Sequence, residues 1–194
     1  MPNLYIIAGC NVAGKTTASY AVLPGMLNCR EFVNADNIAA GLSPFNTDAV
    51  AIEAGRIMLK RIDELLGLQA DFAIETTLAT RSYVSLISRA MTKGYKISLV
   101  FFWLNSPQMA VDRVSRRVMN GGHHIPTETV WRRYYAGIKN LFELYLPITD
   151  KWTLYNNSNQ GIIPVANKNE FGLLIENTEL WNKIKSQVYE CRKS

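Results

Sequence analysis

An apolar run, Leu4-Tyr5-Ile6-Ile7-Ala8, delivers the chain directly into Gly9-Cys10-Asn11-Val12-Ala13-Gly14-Lys15-Thr16-Thr17. The second segment fits G-x-x-x-x-G-K-[ST], the spacing of a loop that wraps phosphate. Such a loop needs glycines, because side chains would keep the backbone N–H groups from the phosphate oxygens. It needs a lysine to reach the β- and γ-phosphates and a hydroxyl to hold Mg²⁺. Gly9, Gly14, Lys15 and Thr16 supply these in order, and Asn11, Val12, Ala13 and Thr17 complete the expected nucleotide contacts. A strand before the loop and a helix after it are part of the same requirement. The segment therefore predicts both a parallel α/β fold and a bound nucleoside triphosphate, with ATP and Mg²⁺ as the expected pair.

The rest of the chain alternates strand and helix patterns, which argues for a parallel sheet with helices on both faces. The predicted strands are Leu4–Ala8, Glu31–Asn34, Asp71–Glu75, the nearly all-apolar Lys96–Trp103, and Lys151–Tyr155. Helices are predicted near Lys15–Leu27, Asp48–Leu68 with Thr47 as N-cap, Ser82–Lys93 ending before Gly94, Ser106-Pro107 to Met119, and Pro126-Thr127 to Tyr145. Two short strands, near Ile162–Ala166 and Phe171–Ile175, and a C-terminal helix follow. The expected architecture is a three-layer α/β domain of the P-loop kinase-like kind over residues 1–194, with a mostly parallel five-stranded sheet. A glycine-rich break, Asn120-Gly121-Gly122-His123-His124, separates two arginine-bearing helices and reads as the hinge of a helical lid, about residues 113–133.

Composition sets bounds on function. The chain has 194 residues, 48% hydrophobic and 19% charged, enough for one domain with a full core. No run is long enough to cross a membrane, and the first apolar stretch is too short for a signal peptide, so no membrane role is expected. Cys10, Cys29 and Cys191 are scattered and odd in number, offering neither a disulfide framework nor metal-ligand spacing; a reducing cytoplasm is the expectation. The net charge of +5 suits a polyanionic ligand. The basic tail Lys183–Lys193 is also amphipathic, through Leu180, Trp181, Ile184 and Val188, so packing accounts for it.

The reaction must come from the other charges. Asp36 follows the second strand and Glu75 ends the third. In an open parallel sheet ligands bind at the C-terminal ends of strands, which is where the phosphate loop also lies. Both carboxylates are expected to face the γ-phosphate, one to take a proton from an acceptor hydroxyl, the other to support Mg²⁺ or substrate. The competing reading for Asp36 is a helix cap. Arg113, Arg116 and Arg117 precede the glycine-rich break, and Arg132 and Arg133 follow it. Such arginines would neutralise a transferring phosphoryl group. His123-His124 has no Cys or His partner pattern, which disfavours a metal site. Asn167-Lys168-Asn169-Glu170 imitates a guanine-recognition signature, but the chain has no D-x-x-G, which disfavours a GTPase switch. Trp131, Tyr134 and Tyr135 beside Arg132 and Arg133 leave an RNA or DNA end open as an alternative acceptor, since bases stack on rings. A nucleotide-dependent binding module without phosphoryl transfer is a further alternative.

GCNVAGKTT, FVNAD, IETTLATRSY and RVMNGGHHIPTETVWRRY together resemble the zeta-toxin-type P-loop kinases, in particular their small stand-alone branch, over about residues 3–158. The resemblance implies an ATP-dependent kinase that phosphorylates a sugar hydroxyl of a UDP-sugar, UDP-N-acetylglucosamine in the characterised toxins, and that an antitoxin protein holds inactive. Lys15 and Thr16 would hold phosphate and Mg²⁺. Asp36 matches the general base. Glu75 matches the substrate-contacting acid, with Thr77 beside it in the acceptor segment. The family's E-G-T-L-R here reads Glu75-Thr76-Thr77-Leu78-Ala79, without its glycine and arginine, and Arg81 is the nearest cation to stand in. The two lid arginines correspond to Arg117 and to Arg132 or Arg133.

Overall fold

The computed structural model describes residues 1–159 and 161–190; Cys191 and the end of the basic tail lie outside the described residues. Seven strands form one sheet: β1 (Asn3–Gly9), β2 (Glu31–Val33), β3 (Phe72–Thr76), β4 (Lys96–Trp103), β5 (Lys151–Asn156), β6 (Ile163–Asn169) and β7 (Gly172–Ile175). Their order is β2-β3-β1-β4-β5-β6-β7. The first five are parallel, as the strand–helix alternation requires, and are the five expected. The two short strands after them join the same edge as an antiparallel hairpin. Consecutive residues Ile6, Ile7 and Ala8, and Phe72, Ala73 and Ile74, are all buried, which requires cover on both faces of the sheet.

The cover comes from α1 (Lys15–Met26), α2 (Ala35–Leu42), α3 (Ala51–Leu68), α4 (Tyr83–Thr92), α5 (Pro107–Met119), α6 (Thr127–Asn140) and α7 (Thr178–Glu190). β1 lies between β3 and β4, so the chain leaves it toward β2 through α1 and crosses back through α4 to β4. That reversal of direction opens a crevice at the C-terminal ends of β1, β2 and β3. α5 starts as its sequence predicts: the Ser106 side chain accepts from the Met109 amide, with Pro107 at the first helical position.

Two helix expectations need correction. Thr47 caps nothing: it opens a short 3₁₀ turn, Thr47–Val50, and α3 begins at Ala51 with no side-chain cap. The helix expected to run to Tyr145 is α-helical only to Asn140. It then widens into a π-helical turn, Leu141–Tyr145. Periodicity of apolar residues does not distinguish these turns, because each keeps one face inward. Tyr145 is fully buried and its hydroxyl donates to the Thr80 carbonyl at 2.6 Å.

Candidate active site

The phosphate loop takes its shape from residues at positive φ: Gly9 at 140°, Val12 at 54° and Gly14 at 89°. The glycines are also sites of close approach. A Cβ on Gly9 would collide with the Phe102 carbonyl oxygen of the neighbouring strand, and one on Gly14 with Asn157 Nδ2. Gly14 precedes α1 without any side-chain cap, so the first amides of α1 are left for another acceptor. A concave run of amides at a helix N-terminus attracts an anion through both hydrogen bonds and the helix dipole.

Two side chains from beyond the loop hold its outer edge. Asn157, just past β5, donates from Nδ2 to the Ala13 carbonyl at 2.8 Å. Arg113 of α5 donates to the carbonyls of Asn157 at 2.7 Å and Ser158 at 3.2 Å, and more weakly to that of Val12 at 3.4 Å. Arg113, grouped by sequence with the lid arginines, therefore braces the loop from outside.

Glu75 organises the inner edge. Its Oε2 accepts from Thr16 Oγ1 and from Asn34 Nδ2, both at 2.8 Å, and Lys15 Nζ lies 3.6 Å from Oε1. The Lys15 ammonium also donates to the Cys10 carbonyl at 2.8 Å. A carboxylate at the end of a buried strand requires such partners, and Glu75 has three. Asn34 spends both ends of its amide: Oδ1 accepts from the Asp36 and Asn37 amides, capping α2, while Nδ2 holds Glu75. Asn34 is thus the cap, and the Asp36 carboxylate stands exposed in the first turn of α2. The signal for Asn34 was present, since Asn before a helix is a preferred N-cap. Its second bond depends on the β2–β3 pairing and has no local signature.

A cavity of about 940 Å³ opens from this loop, a large volume for a small-molecule site. Lys15, Asp36, Glu75, Thr77 and Arg133 line it together, with Asn11. Its far wall is α3 and α4, through Met58, Ile62, Tyr83 and Leu86. A second cavity, of about 390 Å³, shares Asp36, Arg132 and Arg133 with the first and is flanked by His123 and His124. Arg133 reaches Asn11 Oδ1 at 3.5 Å. Arg56 and Arg132 line the large cavity and make no hydrogen bond or ion pair among the described residues. Gly9, Val12, Ala13 and Gly14 form the loop, and Thr17 is exposed on α1.

Of the residues predicted outside the phosphate loop and α1, two are not brought to these walls. Arg81 is exposed and lines neither cavity. Arg117 turns to the glycine-rich break, its Nη2 within 3.3 Å of His123 Nδ1 and 3.2 Å of the His123 carbonyl oxygen. The break is built around it, because a Cβ on Gly122 would lie 2.5 Å from Arg117 Cγ. Of the aromatics near the lid, Tyr134 is buried and donates to the Leu104 carbonyl at 2.6 Å, while Trp131 is exposed. Asn167-Lys168-Asn169 runs along β6 into the hairpin, where Glu170 pairs with Lys151 at 2.6 Å.

Burial perturbs the nearby weak acids. It pushes the Cys10 thiol up to about 11, against the lowering influence of Lys15 and Arg113. It also pushes the Tyr145 phenol up to about 12 and raises Tyr83. A nucleotide with Mg²⁺ suits the residues present. Thr16 gives its only proton to Glu75, leaving its lone pairs for a cation. Mg²⁺ keeps most of its shell in water and phosphate oxygens, so no cluster of protein carboxylates is required.

The sequence model of the family described as Zeta toxin matches residues 1–160. A protein of Haemophilus influenzae described as uncharacterized is 28% identical over 102 residues, 53% of this chain and 73% of its own length. Among solved structures, a chain of the AvrRxo1-ORF1:AvrRxo1-ORF2 complex with sulphate ions superposes with a TM-score of 0.79 at 20% identity, over 96% of this chain and 64% of that one. This chain thus spans just under two thirds of that protein's length. A structure from the PezAT chromosomal toxin–antitoxin system of Streptococcus pneumoniae superposes with a TM-score of 0.65 at 16% identity, over 100% of this chain and 88% of that one. At these identities the structural likeness speaks for the fold.

Proposed function

The chain belongs to the zeta toxin family, and from that premise we propose that it is a kinase, moving the γ-phosphoryl group of ATP to a hydroxyl of a small acceptor. One observation carries the reading. Lys15 and Glu75, the latter hydrogen-bonded to Thr16, line one edge of a cavity that also exposes the Asp36 carboxylate. A phosphate loop alone would serve any nucleotide-binding protein; a free carboxylate facing the same space supplies the base that a hydroxyl acceptor needs.

The loop amides and Lys15 bind the β- and γ-phosphates. Thr16, supported by Glu75, would hold Mg²⁺, which when bound would neutralise charge on the phosphates. Asp36 orients the acceptor hydroxyl and takes its proton as the oxygen attacks phosphorus; the displaced oxygen remains on ADP. Arg133, beside Asn11, offers positive charge to the phosphoryl group in transfer. Arg117 joins it only by leaving His123. Thr77 and Glu75 line the acceptor space, and Arg56 and Arg132, rather than Arg81, are cations on its wall. A UDP-sugar fits the cavity volume and the family. The buried Cys10 and Cys29 thiols suit a reducing cytoplasm. An antitoxin-like protein is the proposed partner, supported by solved relatives that come from two-component pairs.

The test is transfer from γ-labelled ATP·Mg²⁺ to UDP-sugars, nucleosides and RNA ends, with Lys15→Ala as control. A labelled acceptor that disappears in the control supports the kinase and names its substrate class. Tight ATP binding with no labelled product from any acceptor overturns it in favour of a nucleotide-dependent binding module.

A further inference from the structure

The end of β3 and the loop that follows it line the acceptor side of the cavity through Thr76, Thr77, Ala79 and Thr80. It is an irregular loop. Leu78 sits at φ 55°, a conformation that costs a non-glycine residue energy and persists only when surroundings impose it. Part of the constraint is local: the Leu78 amide donates to Thr76 Oγ1 at 3.0 Å. The rest comes from α6 and the π-helical turn after it. Asn140 Nδ2 donates to the Leu78 carbonyl at 2.7 Å, in a buried bond. Tyr145 donates to the Thr80 carbonyl at 2.6 Å. Gly137 lies so close under the loop that a Cβ there would be 2.5 Å from the Thr77 carbonyl oxygen.

These contacts share an element with the donor side. Arg133, Gly137 and Asn140 follow one another at helical spacings of four and three, so they occupy one face of α6. Arg133 meets Asn11 of the phosphate loop; the next two turns meet the acceptor loop. We propose that α6 is a rigid gauge between the two halves of the site, with Gly137 and Asn140 as positioning residues that set the acceptor loop's distance from the phosphoryl group. Neither residue touches donor or acceptor. Gly137 sets the height by having no side chain, and Asn140 holds the loop down. This inference rests on the kinase reading for its catalytic consequence, but the mechanical link is testable without any acceptor.

Two substitutions change the gauge in opposite ways. Gly137→Ala pushes the loop away, and it does so in a helix that alanine intrinsically favours, so the variant is expected to fold. Asn140→Ala releases the loop. A displacement of about 1 Å at a reacting centre costs on the order of a hundredfold in rate. Both variants are expected to lose tenfold to a hundredfold in kcat for transfer, with KM for ATP and direct ATP affinity within about twofold of wild type. Amide hydrogen exchange gives the second readout. ATP·Mg²⁺ is expected to slow exchange in residues 127–140 and 76–82 together in the wild type. In the variants it should slow exchange in 127–140 alone.

The gauge is overturned if residues 76–82 gain the same protection in both variants as in wild type. It is also overturned if nucleotide leaves that loop unaffected in the wild type. Coupled protection in wild type that both variants lose upholds it, even where no acceptor in the panel is phosphorylated. That last result would count against the kinase reading only.

Discussion

The phosphate loop and the acceptor loop each place a branched aliphatic residue in the left-handed region, Val12 at φ 54° and Leu78 at φ 55°. Both loops leave the C-terminal end of a central parallel strand, β1 and β3. Each is held by polar side chains on its carbonyls: Arg113 and Asn157 grip the first, Asn140 and Tyr145 the second. They differ in where their function resides. On the proposed reading the phosphate loop works through its own backbone amides, so its glycines answer to phosphate as well as to crowding against Phe102 and Asn157. The acceptor loop offers short side chains to an open cavity and relies on Gly137, far away in sequence, for its clearance. A loop that binds with its backbone must carry its clearance in its own glycines. A loop that binds with side chains can take its clearance from an element packed against it.

The largest effect that separates the two loops is expected at Gly14. Gly14→Ala adds a Cβ against Asn157 Nδ2 at a residue with φ 89°. ATP binding, followed by calorimetry, should weaken at least tenfold, while a small acceptor should still bind. Equal loss of both ligands would show that the two halves are not separately built. Next comes Arg113→Ala, which removes donors to three carbonyls behind the phosphate loop. Each carbonyl left without its donor costs about 1 kcal/mol. Denaturant unfolding should show the loss, and ATP affinity should fall with it. If stability falls and ATP affinity does not, Arg113 supports the β5 exit and not the loop.

The third effect lies on the acceptor side. Tyr145→Phe removes the donor to Thr80 and should cost about 1 kcal/mol in denaturant unfolding, with ATP affinity unchanged. The smallest is Val12→Gly. It relieves a strained β-branched residue of about 1 kcal/mol but frees the unfolded chain by a similar amount. Thermal unfolding should therefore move by only a degree or two. A large fall would mean that the Val12 side chain, and not the backbone, holds the loop. Cys10 gives a check by pH. Its thiol, pushed up to about 11 and buried, should resist iodoacetamide at pH 8 in the native protein and react only on unfolding. Rapid native alkylation would show that the loop opens in solution.

The contrast between the loops also explains what the sequence revealed. Gly9, Gly14, Lys15 and Thr16 were legible because a phosphate-binding backbone must be contiguous. The five parallel strands were legible from buried apolar runs such as Lys96–Trp103. Asp36 and Glu75 were legible from their places at strand ends, and the structure brings both to the cavity. Asn34, Arg113, Gly137, Asn140 and Asn157 were not. Each acts across a pairing of distant segments, and an asparagine or glycine in a helix or loop has many ordinary uses. The contacts of Arg113 and Arg117 were hidden in the same way. Basic residues beside a glycine-rich break suggest a lid, but only packing reveals that one grips carbonyls behind the phosphate loop and the other the break itself.

The proposed chemistry depends most on Asp36 as the base that faces the transferring phosphoryl group. A single-turnover experiment with γ-labelled ATP·Mg²⁺ and the phosphorylated acceptor class, on wild type and Asp36→Asn, tests it directly. The expected result is ATP affinity within about twofold of wild type and a loss of transfer of at least a hundredfold, as removal of a general base produces. Transfer by Asp36→Asn at the wild-type rate would contradict it.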